Sequence, residues 1–367
     1  MGYDADIKPE TALTGLVPED LAAAFAQWEE PAYRVRQVLE WVFQRRVTQH
    51  DAMSNLSRSL REKLAAWRPL RTLRLARVQG AADTTQKLLF RLGDGRYVES
   101  VLIPANLAED GGRADRRTLC VSSQVGCAYD CKFCASGLAG FTRNLRADEM
   151  VEQVLQAEQH AGHRIDNVVF MGMGEPLANL TNLLRTLTIL QAPWGLGIGS
   201  RHITVSTSGL APQIKKLAEA PLPVRLAISL HGATDAVRSR IMPVNHKYPL
   251  DVLFAALRHF RDRRKQKITF EYILIDGVND DPEQARELAR RAKDLSAKIN
   301  LIPYNTVEGL PWTRPPLARQ TAFCEALNAA GIPATIRSEK GHDIAAACGQ
   351  LRLQQETAEG ILPVSVP

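Results

Sequence analysis

Apolar positions in the first part of the chain recur at helical spacing. Tyr33, Val38, Trp41 and Val42 fall on one candidate face and Leu56, Leu60 and Leu64 on another, so Pro18 to Trp67 reads as a small helical unit. The rhythm then shortens. Lys87 to Phe90 and Tyr97 to Ile103 flank the turn signal Leu92-Gly93-Asp94-Gly95, which predicts a hairpin. Ala108 to Arg116 is polar and contains glycine, as a linker would.

Beyond the linker, Thr118 to Ser122, Asn167 to Phe170, His202 to Val205, Val224 to Ile228, Ile268 to Ile273 and Lys298 to Ile302 are short, largely apolar runs separated by helical stretches. Six strand-then-helix units predict an α/β fold, a parallel sheet with right-handed crossovers curved into a partial (β/α)6 barrel. The expected organisation is an N-terminal helical RNA-binding accessory domain over 1–70, a β-hairpin extension and linker over 71–112, the barrel over 113–352 and a tail over 353–367, loose from Ile361 to Pro367.

In a barrel of this kind chemistry sits at the C-terminal ends of the strands. The polar motifs fall there: a cysteine loop after the first strand, Gly172-Met173-Gly174-Glu175-Pro176 after the second, and Ser206-Thr207-Ser208-Gly209 after the third. Ser229-Leu230-His231, Gly277-Val278-Asn279-Asp280 and Pro303-Tyr304-Asn305 follow the remaining three. Six motifs converging on one barrel mouth are hard to explain as scattered surface polarity.

Composition narrows the class. With 45% hydrophobic and 23% charged residues in 367, the chain can bury a full-sized core. No run approaches the roughly 20 apolar residues of a membrane helix. The start MGYDADIKPE has neither a basic leader nor an apolar signal core, so no membrane partner and a cytoplasmic address are expected. The net charge of +6 is unevenly spread: Arg34 to Arg77 carries eleven basic residues against three acidic ones, interleaved with Trp41, Phe43 and Trp67. That block suits a phosphate-contacting surface. A solvated helical face with the aromatics in a small core has the same pattern.

Three of the six cysteines, Cys127, Cys131 and Cys134, lie within eight residues. In a large leaderless chain such clustering argues for metal ligation over a disulfide framework. Three soft thiolates on one loop suit an iron-sulfur cluster, whereas a structural zinc would need a fourth ligand that no nearby Cys or His supplies. Three ligands to a 4Fe-4S cluster leave one iron open. An open iron can chelate S-adenosylmethionine and pass it an electron, cleaving the sulfonium to a 5'-deoxyadenosyl radical.

The Cys127-x3-Cys131-x2-Cys134 spacing, with Phe133 before the last cysteine, resembles the radical S-adenosylmethionine superfamily. Gly174-Glu175 is similar to that superfamily's glycine-glutamate strand, whose carboxylate accepts the cofactor's ammonium group. Ser206, Ser229, Leu230, His231 and Asn305 are placed to meet its carboxylate, ribose and adenine. Taken singly, each is more often an ordinary structural residue.

Gly341-His342-Asp343-Ile344-Ala345-Ala346-Ala347-Cys348-Gly349-Gln350-Leu351, with Cys120, the cysteine loop and Gly172 to Leu177, resembles the dual-specificity ribosomal and transfer RNA adenine-C2 methyltransferases. The likeness extends to Tyr33-Arg34-Val35-Arg36-Gln37 and Met53-Ser54-Asn55-Leu56-Ser57.

It implies that one S-adenosylmethionine methylates Cys348 and a second activates that methyl group, which adds to carbon 2 of adenine. Cys120 would then release the product by forming a disulfide with Cys348, and Glu99 would accept the proton. By its own chemistry a strand glutamate usually faces solvent. The implied partners are 23S ribosomal RNA, transfer RNA and an electron donor such as a flavodoxin, with the protein a monomer. The target base must be extruded or single-stranded, and Arg143-Asn144-Leu145 either contacts RNA or starts a helix. The nearest rival resemblance is a methyltransferase acting on carbon 8 of the same base. From another class, a non-catalytic RNA-binding module with a structural metal would need no Cys348.

Overall fold

The computed structural model describes residues 11–81, 84–104, 116–137, 140–307, 309–337 and 350–361. Most of the expected linker, the motif from Gly341 to Gly349 with Cys348, and the last six residues lie outside them.

Twelve strands are present among the described residues: β1 (Arg74–Gln79), β2 (Gln86–Arg91), β3 (Tyr97–Ile103), β4 (Thr118–Cys120), β5 (Gln124–Gly126), β6 (Phe141–Asn144), β7 (Asn167–Phe170), β8 (Ile203–Thr207), β9 (Arg225–Ser229), β10 (Ile268–Leu274), β11 (Lys298–Pro303) and β12 (Ala334–Ile336). Ten form one sheet in the order β1-β2-β3-β4-β7-β8-β9-β10-β11-β12, and β5 pairs with β6 as a separate ribbon. From β4 to β12 the pairing is parallel, so the six expected strands stand side by side in chain order. The α/β partial barrel is thus observed, with β1 and β12 as its open edges.

The hairpin β2–β3 forms where the turn signal placed it, with Gly95 in the left-handed region at φ 83°. It is not a separate lobe. β3 pairs antiparallel with β4, Val101 opposite Cys120, so the hairpin and β1 continue the barrel sheet.

The helical unit holds Pro18–Gln27, Tyr33–Leu39 running into a π-helical turn at Glu40–Gln44, and Arg58–Trp67. Ser57 caps the last of these, its Oγ accepting from Leu60 N at 3.2 Å. Two buried carboxylates on the barrel helix Ala147–Ala161 fasten this unit: Asp148 accepts from Ala12 N at 2.9 Å, and Glu152 accepts from Thr14 Oγ1 at 2.7 Å and Leu73 N at 2.6 Å. A further helix, Gln350–Ala358, runs across the expected start of the tail at 353. Its Leu351, Arg352 and Glu356 are buried, and Glu356 accepts from Tyr97 N at 3.1 Å. No described helix is long and apolar enough to cross a membrane.

Candidate active site

The three clustered cysteines are half-buried free thiols on the loop between β5 and β6. Backbone contacts hold that loop in place. Cys127 N donates to Gly140 O at 3.0 Å, Cys134 N to Cys131 O at 3.0 Å and Lys132 N to Ile241 O at 2.9 Å. Gly126 has φ +76°, and a Cβ there would lie 1.8 Å from Gly140 O, so only glycine fits where the ribbon closes. Burial first, and then the neighbouring thiols, push Cys131 well above the ordinary thiol range; burial pushes Cys127 up to about 12.

Three thiols gathered on one short loop, two of them desolvated by burial, are a donor set that a soft, positively charged metal group satisfies. Among the described residues no three such side chains surround one point closely enough for a single ion. The fit to a 4Fe-4S cluster rests on the donor set, three soft sulfur ligands on one loop that match in kind and number what such a cluster would take while keeping one iron open.

Beside the loop stand the residues expected to meet the cofactor. Gly174 has φ +93°, and a Cβ would come 2.4 Å from Gln124 Cβ. Glu175 is buried, and burial raises its carboxyl above the usual range against the hydrogen bonds it accepts. Its Oε2 accepts from Ser208 N at 2.7 Å and Ser208 Oγ at 2.8 Å, and its Oε1 from Leu177 N at 3.0 Å. The side chain therefore ties the β7 and β8 loops together, with Thr207 adding a further side-chain hydrogen bond.

Ser206 Oγ and Ser229 Oγ are 3.4 Å apart across β8 and β9, and Leu230 is buried. His231 has φ 57°, its ring meets Phe133 of the cysteine loop edge-on at 4.8 Å, and its Nδ1 accepts from Ile273 N at 3.0 Å. That bond puts the proton on Nε2. Burial, then Arg238, lowers its pKa to about 3, so the ring is neutral. Asn305 Oδ1 accepts from Arg314 Nη2 at 2.6 Å at the end of β11.

Cys120 is half-buried on β4, and burial pushes its thiol up to about 11. Glu99, on neighbouring β3, does not face solvent: it is wholly buried, with Oε2 3.4 Å from Lys87 Nζ and Oε1 accepting from Arg352 N at 2.6 Å. The disulfide expected for Cys120 is not formed among the described residues, where Cys120 is a free thiol; Cys348 lies outside them.

The structure adds a residue that motif reading passed over. Arg238 is fully buried, and its guanidinium donates to Leu230 O at 3.1 Å, to Asn245 Oδ1 at 2.8 Å and to Ser208 O, bridging the ends of β8 and β9 beneath Cys131. Burial lowers its pKa to about 10. An arginine in a fully buried position signals a network, but burial is not visible in sequence. Arg143 grips Glu149, in the first turn of the barrel helix, with two bonds of 2.8 Å, and Asp94 at 2.7 Å. In the basic N-terminal block Arg45, Arg46, Arg58, Arg61 and Lys63 are each paired with a carboxylate.

Known proteins fit this arrangement. The Radical SAM superfamily profile matches residues 121–289, and the profile of the ribosomal RNA large subunit methyltransferase N-terminal domain matches 11–68. A protein of Akkermansia muciniphila named "Probable dual-specificity RNA methyltransferase RlmN" is 54% identical over 95% of this chain and 97% of its own length. One of Opitutus terrae, named "Probable dual-specificity RNA methyltransferase RlmN 3", is 51% identical over 95% and 96%. The crystal structure of a radical SAM methyltransferase from Sphaerobacter thermophilus superposes with a TM-score of 0.86 at 44% identity, covering 93% of this chain and 98% of that one. Alike in sequence over nearly its whole length and in fold, the chain belongs to the dual-specificity RNA methyltransferases of the radical SAM superfamily.

Proposed function

We propose that this RNA methyltransferase acts on carbon 2 of adenine, at adenine 2503 of 23S ribosomal RNA and adenine 37 of some transfer RNAs. One observation supports the reading most. Cys120 and Glu99 occupy adjacent strands, and Glu99 holds the start of the helix that follows Cys348 in the chain. Three residues lie between Cys348 and Arg352, four peptide units with a reach of at most about 14 Å.

Cys127, Cys131 and Cys134 would hold the 4Fe-4S cluster. With S-adenosylmethionine bound, and used twice per turnover, that group supplies the one-electron chemistry that carbon 2, electron-poor between two ring nitrogens, requires. Glu175 and the Ser206–Ser229 pair receive the polar end of S-adenosylmethionine, and Asn305 and the neutral Nε2–H of His231 meet its ribose and adenine. Cys348 carries the methyl carbon to the base. Glu99, beside Lys87, takes the proton that leaves carbon 2, and Cys120 closes a disulfide with Cys348 as the sulfur–carbon bond breaks. A flavodoxin-like donor, a monomeric enzyme and a cytoplasmic setting complete the proposal.

Chromatography of nucleosides from RNA treated with the reconstituted enzyme tests it. 2-Methyladenosine is expected; 8-methyladenosine as sole product would overturn it.

A further inference from the structure

At the end of the barrel away from the cysteine loop lies a cavity of about 710 Å³. Its wall includes Thr118 of β4, Val169 of β7, Thr204 of β8, Thr269 and Glu271 of β10 and Asn300 of β11. Five cations line it: Arg201, Arg225, Lys267, Lys298 and Arg337. All five are exposed, and among the described residues none makes an ion pair. Nearby His202 feels the same charge, its pKa lowered first by burial and then by Arg116, Arg225 and Arg201. Among the described residues the lining holds one carboxylate, Glu271, which is buried and accepts from Asn300 Nδ2 at 2.9 Å.

In the N-terminal block, by contrast, five of the basic residues are already paired with carboxylates. The cavity also has a direction. Side chains alternate along a strand, so Cys120 shares the face of Thr118, and Arg337 acts electrostatically on the Cys120 thiol. The cavity therefore opens toward Cys120 from the end opposite the cofactor residues. Arg201, Arg225, Lys267 and Lys298 stand at or just before the starts of four successive strands, a spread of roughly 14 Å at the usual interstrand spacing. That is wider than one phosphate group and suits a strand carrying several. The cavity itself falls in the size range that takes a single ligand-sized group.

We infer that RNA presents its extruded nucleotide through this N-terminal opening of the barrel, with Arg201, Arg225, Lys267 and Lys298 holding the flanking phosphates. The inference rests on the RNA-methyltransferase reading above and adds the side of approach. It separates the two binding events: S-adenosylmethionine occupies the C-terminal ends of the strands, and the base comes from the other end to meet Cys120.

The test is binding of a labelled RNA hairpin with an unpaired adenine to the anaerobically reconstituted enzyme across a range of salt. Arg225→Glu with Lys298→Glu should weaken binding at least tenfold and flatten the dependence of log Kd on log salt by about 0.7–0.9 for each phosphate no longer held. A second pair on the rim, Arg201→Glu with Lys267→Glu, should do the same. Unchanged affinity and slope in both pairs would overturn the inference. If the wild-type enzyme itself ignores the hairpin, the RNA reading fails instead. Inorganic pyrophosphate serves as the small-anion arm: it should compete only weakly, and displacement of RNA at micromolar pyrophosphate would make the rim a free-anion site and sink the proposal.

Discussion

Glu99 accepts the backbone amide of Arg352 at 2.6 Å, a bond that spans 253 residues of chain and is wholly buried. The carboxylate lies between Lys87 on β2 and the first turn of the helix Gln350–Ala358, where the free backbone amides favour a negative charge. Arg352 in turn pairs with Glu356 at 2.9 Å inside the same buried patch.

Substitutions at Glu99 should therefore separate two roles. Glu99→Leu removes the carboxylate beside a buried lysine and the acceptor of a helix amide and should cost about 3–5 kcal/mol of stability. Glu99→Gln keeps an oxygen for Arg352 N and should fold better, yet it can no longer take up a proton. In that variant Cys348 should still be found methylated by mass spectrometry while transfer to RNA is slowed at least a hundredfold. Full RNA methylation by Glu99→Gln would end the proton-acceptor role.

Burial raises the Cys120 thiol to about 11, so at neutral pH little of it is thiolate. If thiolate attack frees the RNA, release should quicken about tenfold for each unit of pH between 7 and 9. Trapped protein–RNA adduct can be followed on denaturing gels over that range. Cys120→Ala should accumulate the adduct, and clean turnover in that variant would refute the resolving role.

Arg238 bonds Ser208 O, Leu230 O and Asn245 Oδ1 in a site closed to water. Arg238→Met leaves these acceptors unsatisfied and should cost roughly 3–5 kcal/mol. Arg238→Lys should recover little, because one ammonium cannot reproduce the planar fork. The thermal midpoint and calorimetric S-adenosylmethionine affinity should fall together, since the strand ends it joins carry Ser206 and Ser229 and lead into His231. A Met variant as stable as wild type would remove Arg238 from this role.

Glu152 gives the clearest pH dependence. Burial, and next the charge of Asp148, raise its carboxyl to about 8 against an unfolded value near 4.5. The folded state therefore holds a proton that the unfolded state has lost between those values, and stability falls as pH rises from about 4.5 through about 8. The expected readout is a thermal midpoint that declines across this window. The decline should be smaller in Glu152→Gln, whose amide oxygen can still accept from Thr72 N and Leu73 N while its Nε2–H turns to Thr14 Oγ1. An identical decline in both proteins would assign it elsewhere.

Several elements escape sequence reading for identifiable reasons. β1 does not alternate cleanly, because its register shifts between Leu75 and Arg77, and with its two arginines it resembles the basic helical block before it. β5 and β6 are short and polar because they exist to close the cysteine loop. β12 is three residues long, below the length at which alternation carries a signal.

What the residues determine by themselves is local: the spacing of Cys127, Cys131 and Cys134, the alternation of apolar runs with helical stretches, and the polar motifs that end each strand. Such patterns depend on neighbours a few positions apart, and a parallel sheet then brings the strand ends together in chain order. Which charges lie inside was decided by the tertiary structure alone. The burial of Glu99 against Arg352, the place of Arg238 beneath Cys131, and the gathering of cations around the far opening of the barrel all depend on partners from distant segments. Burial and long-range pairing, not residue type, set what those charges can do.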